Sequence, residues 1–232
     1  MTRSALLIAG FAVATSLCAG EDHGSAKVTV LGEHDLPVSG ARVLAMPFSG
    51  AGCGFDYPLP ACITDKAGSC TLDLAYGGRC ELGKYSVSAS KEADGYPNLD
   101  DEFYSAADPT HKPTEVTVSA SNPSATITVH AGRRAGVLAG TIVDGHRGKP
   151  LNARLELRWG ANHVKVIPGG VNGFTNAQFR ILIPSETTVT MIASLKGYEN
   201  WSYAPGTGAG RNAIFLRPGE VLKLHIRLRP AR

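Results

Sequence analysis

Pro37-Val38-Ser39-Gly40-Ala41-Arg42-Val43 returns 113 residues later, one residue shorter, as Pro150-Leu151-Asn152-Ala153-Arg154-Leu155. Each copy follows an alternating stretch and a polar turn, and each opens a second alternating stretch. Proline presets φ and cannot donate to a sheet ladder, so it belongs just ahead of a strand rather than inside one. A second echo lies further on: Ser88-Ala89-Ser90 leads to Gly95-Tyr96 much as Ile192-Ala193-Ser194 leads to Gly197-Tyr198, at an offset of 102 residues. Offsets of this size mark the duplication of a whole domain, because solenoid repeats recur every 20 to 50 residues or so.

Around these anchors, period-two alternation dominates. Lys27-Val28-Thr29-Val30, Ala41-Arg42-Val43-Leu44-Ala45, Thr71-Leu72-Asp73-Leu74, Tyr85-Ser86-Val87-Ser88-Ala89, Glu115-Val116-Thr117-Val118 and Ala125-Thr126-Ile127-Thr128-Val129 read as strands of a first copy. Residues 137–143, 153–159, 179–183, 187–194 and 221–228 read as strands of a second. β-branched side chains suit a half-buried pleated surface, and the intervening Gly, Pro and Asp clusters supply turns. Thr64-Asp65-Lys66-Ala67-Gly68-Ser69 has the Asp and Gly placement of a hairpin turn. No window sustains a helical period. The fold expected is all-β: a signal peptide over 1–20 and two antiparallel sandwiches over 25–131 and 135–232, joined at Ala131-Gly132-Arg133-Arg134-Ala135-Gly136.

The 232 residues include 27 glycines and 14 prolines, a turn density that excludes long helices and coiled coils. A net charge of +3 conceals an asymmetry. Residues 21–131 carry 7 basic and 15 acidic side chains, a net of −8, whereas residues 132–232 carry 15 and 5, a net of +10. The sign changes at the duplication boundary. Either the two halves dock with opposite faces together, or the basic half holds an anionic surface.

Met1-Thr2-Arg3, an apolar run to Leu17 and the small residues after it have the order of a secretory signal peptide cleaved after Ala19 or Gly20. Lipid attachment at Cys18 is the alternative, although Leu17 stands where a lipoprotein signal wants a small residue. No later segment is apolar enough to span a bilayer, so the protein is expected to be secreted, periplasmic or extracellular. Cleavage leaves Cys53, Cys62, Cys70 and Cys80, an even number in an exported chain, which implies two disulfides. Of three pairings, Cys53 with Cys62 and Cys70 with Cys80 are favoured because each closes one local loop. The spacings of 9, 8 and 10 residues contain no close C-x-x-C pair of the kind structural zinc sites use.

Pro37 to Val43, Thr64-Asp65-Lys66-Ala67-Gly68, Gly83-Lys84-Tyr85 and Gly95-Tyr96 resemble the carboxypeptidase regulatory-like domain, a transthyretin-like seven-stranded sandwich. The second half keeps Gly140-Thr141-Ile142-Val143-Asp144, the segment from Pro150, Gly173-Phe174, Gly197-Tyr198 and a strand after Gly219-Glu220, but has neither a Thr-Asp-x-x-Gly turn nor a Gly-Lys-Tyr. The resemblance implies two tandem copies of that sandwich and a carbohydrate-binding-like fold. It specifies architecture and leaves activity open, since fold does not imply function.

Catalytic signatures are missing from the sequence. The histidines at 23, 34, 111, 130, 146, 163 and 225 form no H-x-x-E or H-E-x-x-H pair, and no nucleophile elbow, P-loop or Rossmann fingerprint occurs. Gly206-Thr207-Gly208-Ala209-Gly210 lacks the Lys-Ser/Thr of a phosphate loop and reads as a sandwich loop. The chain is therefore expected to be noncatalytic, with no cofactor. Two candidate sites stand out. Tyr198, Trp201 and Tyr203 could stack on the apolar faces of sugars, or else cap the core at a sheet end, whereas Trp159 ends an alternating strand and reads as core. The acidic segment with Asp94, Asn98, Asp100, Asp101, Glu102 and Asp108 supplies oxygens that calcium could use, or is simply a solvated loop without the D-x-[DN]-x-[DN]-G pattern. The function expected is binding of extracellular or envelope polysaccharide, or help in displaying such a surface, and anionic glycan or lipid headgroups are the targets that would suit the basic half. The alternative is protein–protein interaction or adhesion through sheet edges. Nucleic acid is not an expected partner, because the chain is exported and its arginines are scattered over strands.

Overall fold

A computed structural model describes residues 22–48, 59–77, 82–98, 102–105, 113–160, 162–169, 174–175, 177–204 and 212–231. The signal segment, the acidic positions 100, 101 and 108, and the glycine-rich loop 206–210 lie outside them, as do Cys53 and Cys80. No helix among the described residues is long and apolar enough to cross a membrane.

The first half holds β1 (Asp22–Leu31), β2 (Arg42–Pro47), β3 (Ala61–Ile63), β4 (Ser69–Tyr76), β5 (Lys84–Ser90), β6 (Thr114–Thr117) and β7 (Ser124–His130), with a four-residue helix α1 (Glu102–Ser105) between β5 and β6. The second holds β8 (Gly136–Asp144), β9 (Arg154–Trp159), β10 (His163–Ile167), β11 (Phe174–Thr175), β12 (Gln178–Ile183), β13 (Val189–Ser194), β14 (Trp201–Ser202) and β15 (Val221–Leu228). Four sheets result, in the orders β4-β1-β7, β3-β2-β5-β6, β11-β12-β8-β15 and β10-β9-β13-β14. The protein is an all-β pair of sandwiches, and its halves repeat one topology. The opening strand of each half pairs antiparallel with a later strand and parallel with the closing one, β1 with β4 and β7, β8 with β12 and β15. All other ladders are antiparallel.

Alternation explains the cores. In β1 the buried Ala26, Val28 and Val30 alternate with Lys27 and Thr29, and in β9 Leu155 and Leu157 alternate with Arg154, Glu156 and Arg158. The turns use the anticipated chemistry. Asp65 Oδ1 accepts the Ala67 and Ser69 amides at 2.9 Å each, and Gly68 takes φ +73°. The buried Thr64 hydroxyl accepts the Ala41 amide at 2.8 Å and donates to the Val38 carbonyl at 2.6 Å, tying the hairpin to the Pro37 turn. Both prolines occupy the same place, Pro37 bridging Leu31 and Pro150 bridging Val143. Gly95 and Gly197 take φ of +91° and +86°, and the hydroxyls of the tyrosines after them reach the turn behind the opening strand: Tyr96 accepts the Glu33 amide at 3.4 Å, and Tyr198 donates to Asp144 at 2.8 Å.

Three departures from the sequence reading are informative. The disulfide joins Cys62 to Cys70, with Cα atoms 6.1 Å apart, so the favoured local pairing is wrong. Cys62 lies on β3 and Cys70 on β4, in different sheets, and the Thr64 to Gly68 turn folds the two strands together at the corner of the sandwich. Second, β3, β10, β11 and β14 were not anticipated. In β10 the valines face solvent, Val164 and Val166 being exposed, while Lys165 is half-buried against an aromatic pair.

Third, α1 lies before the crossing from β7 to β8 in sequence but packs in the second half. Phe103 and Tyr104 are buried in the cluster formed by Leu155, Leu157, Met191, Ile226 and their neighbours. The Tyr104 hydroxyl donates to the Leu182 carbonyl at 2.7 Å, and Trp159 Nε1 donates to the Phe103 carbonyl at 3.2 Å. Arginines complete the join. Arg180 donates to the carbonyls of Glu92 and Ala93 at 3.2 Å each, and Arg134 Nε to that of Asp94 at 2.9 Å. These carbonyls belong to a 3-10 turn over Glu92–Asp94, whose Glu92 carbonyl also accepts the Gly95 amide at 3.1 Å. The halves meet here through carbonyl capping and aromatic burial.

Candidate functional site

β14 is the edge of one sheet of the second sandwich and β15 the edge of the other. Below them the sandwich is closed by main-chain bonds, Glu199 to Arg229 at 2.8 Å and Ala231 to Gly197 at 2.9 Å. Above these a groove of about 550 Å³ opens, lined by His146, Glu199, Trp201, His225, Arg227 and Arg229 among others.

Strand geometry places the cations. Leu222, Leu224, Ile226 and Leu228 turn inward on β15, so Lys223, His225, Arg227 and, just past the strand, Arg229 share the exposed face. Residues two apart on a strand stand roughly 7 Å from one another, so Lys223, Arg227 and Arg229 set their charges along one face with the His225 ring between the first two. Lys223, Arg227 and Arg229 hold no ion pair or side-chain hydrogen bond among the described residues. Elsewhere in this half Arg133 meets Glu186 at 2.5 Å, and Arg154 and Arg158 share Glu156. His225 is fixed by a 2.8 Å bond between Nδ1 and the Thr141 hydroxyl. Glu199 is the acidic member of the rim.

The three aromatic candidates have different surroundings. Tyr198 is half-buried and its hydroxyl is committed to Asp144, which is 7% exposed. The Asp144 carboxylate also accepts the amides of His146 and Arg147 at 2.7 and 2.9 Å. Bonds from Arg147, Tyr198 and His146 hold the Asp144 carboxyl below the ordinary carboxylate value, and the same bond pushes the Tyr198 phenol up. This pair braces the turn that presents His146 to the groove. Trp201 lines the groove, with Tyr203 set against it edge-on at 6.4 Å. Trp159, read as core, is half-buried and stacks on His163 at 4.4 Å.

The calcium candidates fall only in part among the described residues. Asp94 pairs with Lys91 at 2.5 Å, Asn98 is exposed, Glu102 opens α1, and Asp100 and Asp101 lie outside the described residues. Among the described residues no group of three His, Cys, Asp or Glu side chains could hold a metal. The sequence reading did not single out His146, His225, Arg227 and Arg229. For the last three the signal was available, since Lys, His and Arg alternate with leucine and isoleucine from Lys223 to Arg229.

No family model matches this chain, and no curated protein does. Among solved structures it is similar to the Bacillus anthracis TIE protein, at 18% identity and a TM-score of 0.29 over 90% of this chain. It spans 34% of that protein's length. A streptococcal ancillary pilin gives 15% identity, a TM-score of 0.38 and coverage of 90% and 62% of the two chains. The shaft pilin SpaA from Lactobacillus rhamnosus GG gives 10%, 0.33, 91% and 99%. At TM-scores this low, fold and function are read from this chain's own residues.

Proposed function

We propose that this is an exported, noncatalytic binding protein whose two sandwiches are carboxypeptidase regulatory-like, transthyretin-like modules, and that the groove between β14 and β15 takes an acidic polysaccharide. The signal-like leader and the Cys62–Cys70 bridge support export. The repeated strand order and the matching roles of Pro37 and Pro150 support the module assignment. One observation carries the ligand class: Trp201 lines a groove together with Arg227 and Arg229, whose side chains hold no ion pair or hydrogen bond among the described residues. An aromatic face suits the apolar face of a sugar ring, and guanidinium groups recognise carboxylates bidentately. An acyclic phosphate headgroup would use the charge but give the indole no ring to cover.

Calorimetric titration with a trimer of galacturonate, set beside a neutral trisaccharide of glucose, tests this reading. The acidic trimer binds and the neutral one does not. Trp201→Ala weakens binding about tenfold, equivalent to about 1.4 kcal/mol. Binding fades in 0.5 M salt, where the screening length is only about 4 to 5 Å. Equal binding of the neutral sugar, indifference to Trp201→Ala, or binding to anionic phospholipid vesicles in place of the trimer would each refute it. The adhesion reading has one observation in its favour, the outer edge of β10, which no strand covers among the described residues and which exposes Val164 and Val166.

A further inference from the structure

A second groove, of about 660 Å³, lies against the first and is lined by Asn152, Arg154, Val166, Pro168, Lys196 and Asn200 among others. Asn200 lines both grooves. The segment Lys196 to Trp201 therefore serves both grooves, with Lys196 lining one, Glu199 and Trp201 the other, and Asn200 both. Lys196 is exposed and has no ion pair or side-chain hydrogen bond among the described residues. Arg154 reaches Glu156 at 3.3 Å, but that carboxylate is also held by Arg158, so this cluster keeps a net positive charge. The outer groove thus presents positive charge, an amide and an apolar wall formed by Val166 and Pro168.

From this continuity we infer that the protein recognises a linear acidic glycan by length. One stretch of sugars occupies the Trp201 groove, and the chain continues over Asn200 into a second subsite where Lys196 meets a further carboxylate. The inference rests on the acidic-polysaccharide reading of the first groove. A single sugar or short oligomer fills one groove and leaves the other to solvent. A longer chain engages both, and the second contact is then intramolecular, so affinity rises with length at no cost in a further association step.

The test uses the full chain and galacturonate trimers and hexamers. The hexamer is expected to bind about tenfold tighter than the trimer. Lys196→Ala, a substitution at an exposed turn, should remove that gain while leaving the trimer's affinity unchanged. Arg227→Ala should weaken both oligomers. The small gain any longer chain makes by offering more registers survives Lys196→Ala, which separates it from a true second subsite. Equal affinity for trimer and hexamer, or a Lys196→Ala variant that weakens both to the same degree, would overturn the second subsite and leave the first groove standing. If neither oligomer binds, the acidic-glycan reading falls and the second subsite falls with it.

Discussion

Gly140→Ala is expected to destabilise the second sandwich by about 3 kcal/mol or more, the upper range for forcing atoms into a packed site. A β-carbon at position 140 would stand 2.1 Å from the Leu224 carbonyl oxygen and 2.9 Å from the edge of the Phe179 ring. The first neighbour is main chain of β15, paired directly across from Gly140 on β8, so it cannot swing aside like a side chain. β15 must be pushed away from β8. A useful contrast is Gly148→Ala, where φ is +66° but nothing lies within 4 Å of the added carbon. That change costs about 1 kcal/mol of backbone strain and no packing. Both tryptophans, Trp159 and Trp201, belong to the second half, so denaturation followed by tryptophan fluorescence reports this sandwich. Because β15 carries Arg227 and leads directly into Arg229, any Gly140→Ala protein that still folds should also bind acidic oligosaccharide more weakly.

Phe103→Ala should destabilise the same sandwich by about 3 to 5 kcal/mol, the usual range for truncating a buried aromatic ring, and so lower the same fluorescence midpoint. Phe103 is 5% exposed and sits edge-on to Tyr104 at 5.7 Å, with the Lys165 ammonium 5.7 Å from its ring centre and 4.6 Å from that of Tyr104. Its carbonyl is the acceptor for Trp159. This prediction separates two pictures of the chain. If the halves were independent beads, a substitution at position 103 would leave the tryptophan signal of the second half unmoved. A large shift means that a segment preceding β6 completes the core of the second sandwich.

The strands and their cores could be read from alternation, because a sheet with one buried face imposes period two on its sequence. That reading places β1, β8, β9, β12 and β15 to within a residue or two, with the exception of the first residues of β1. It fails where the alternation is inverted, as in β10, whose valines face out and whose lysine faces in. It fails again at the cysteines. Nearness along the chain suggested one loop per bridge, whereas the turn at Thr64 to Gly68 brings the ends of β3 and β4 together across two sheets. The site was half visible. Trp201 stands out as an aromatic in a loop, and the alternation of Lys, His and Arg with apolar residues along β15 is present in the order of its residues. Their meeting is a property of the folded sandwich, in which two edge strands from different sheets face each other across a groove. The insertion of α1 left no trace in local pattern, since four residues are too few to show a period.

The charge asymmetry also has a physical place. Docking of the halves uses Arg134 and Arg180 on carbonyls and two aromatic rings on the second core, while Lys196, Lys223, Arg227 and Arg229 remain without partners among the described residues. Cations of the second half thus serve two ends. Some cap the first half, and others, Lys196, Arg227 and Arg229, line the grooves.

Mapping backbone amide shifts in a two-dimensional NMR titration with galacturonate trimer tests the groove most directly. The perturbed amides should cluster at residues 145–146, 199–202 and 225–229, with the Trp201 indole proton among the largest changes. Shifts centred on the β10 edge at residues 164–166, or scattered evenly over the basic half, would contradict the assignment of the groove between β14 and β15 as the binding site.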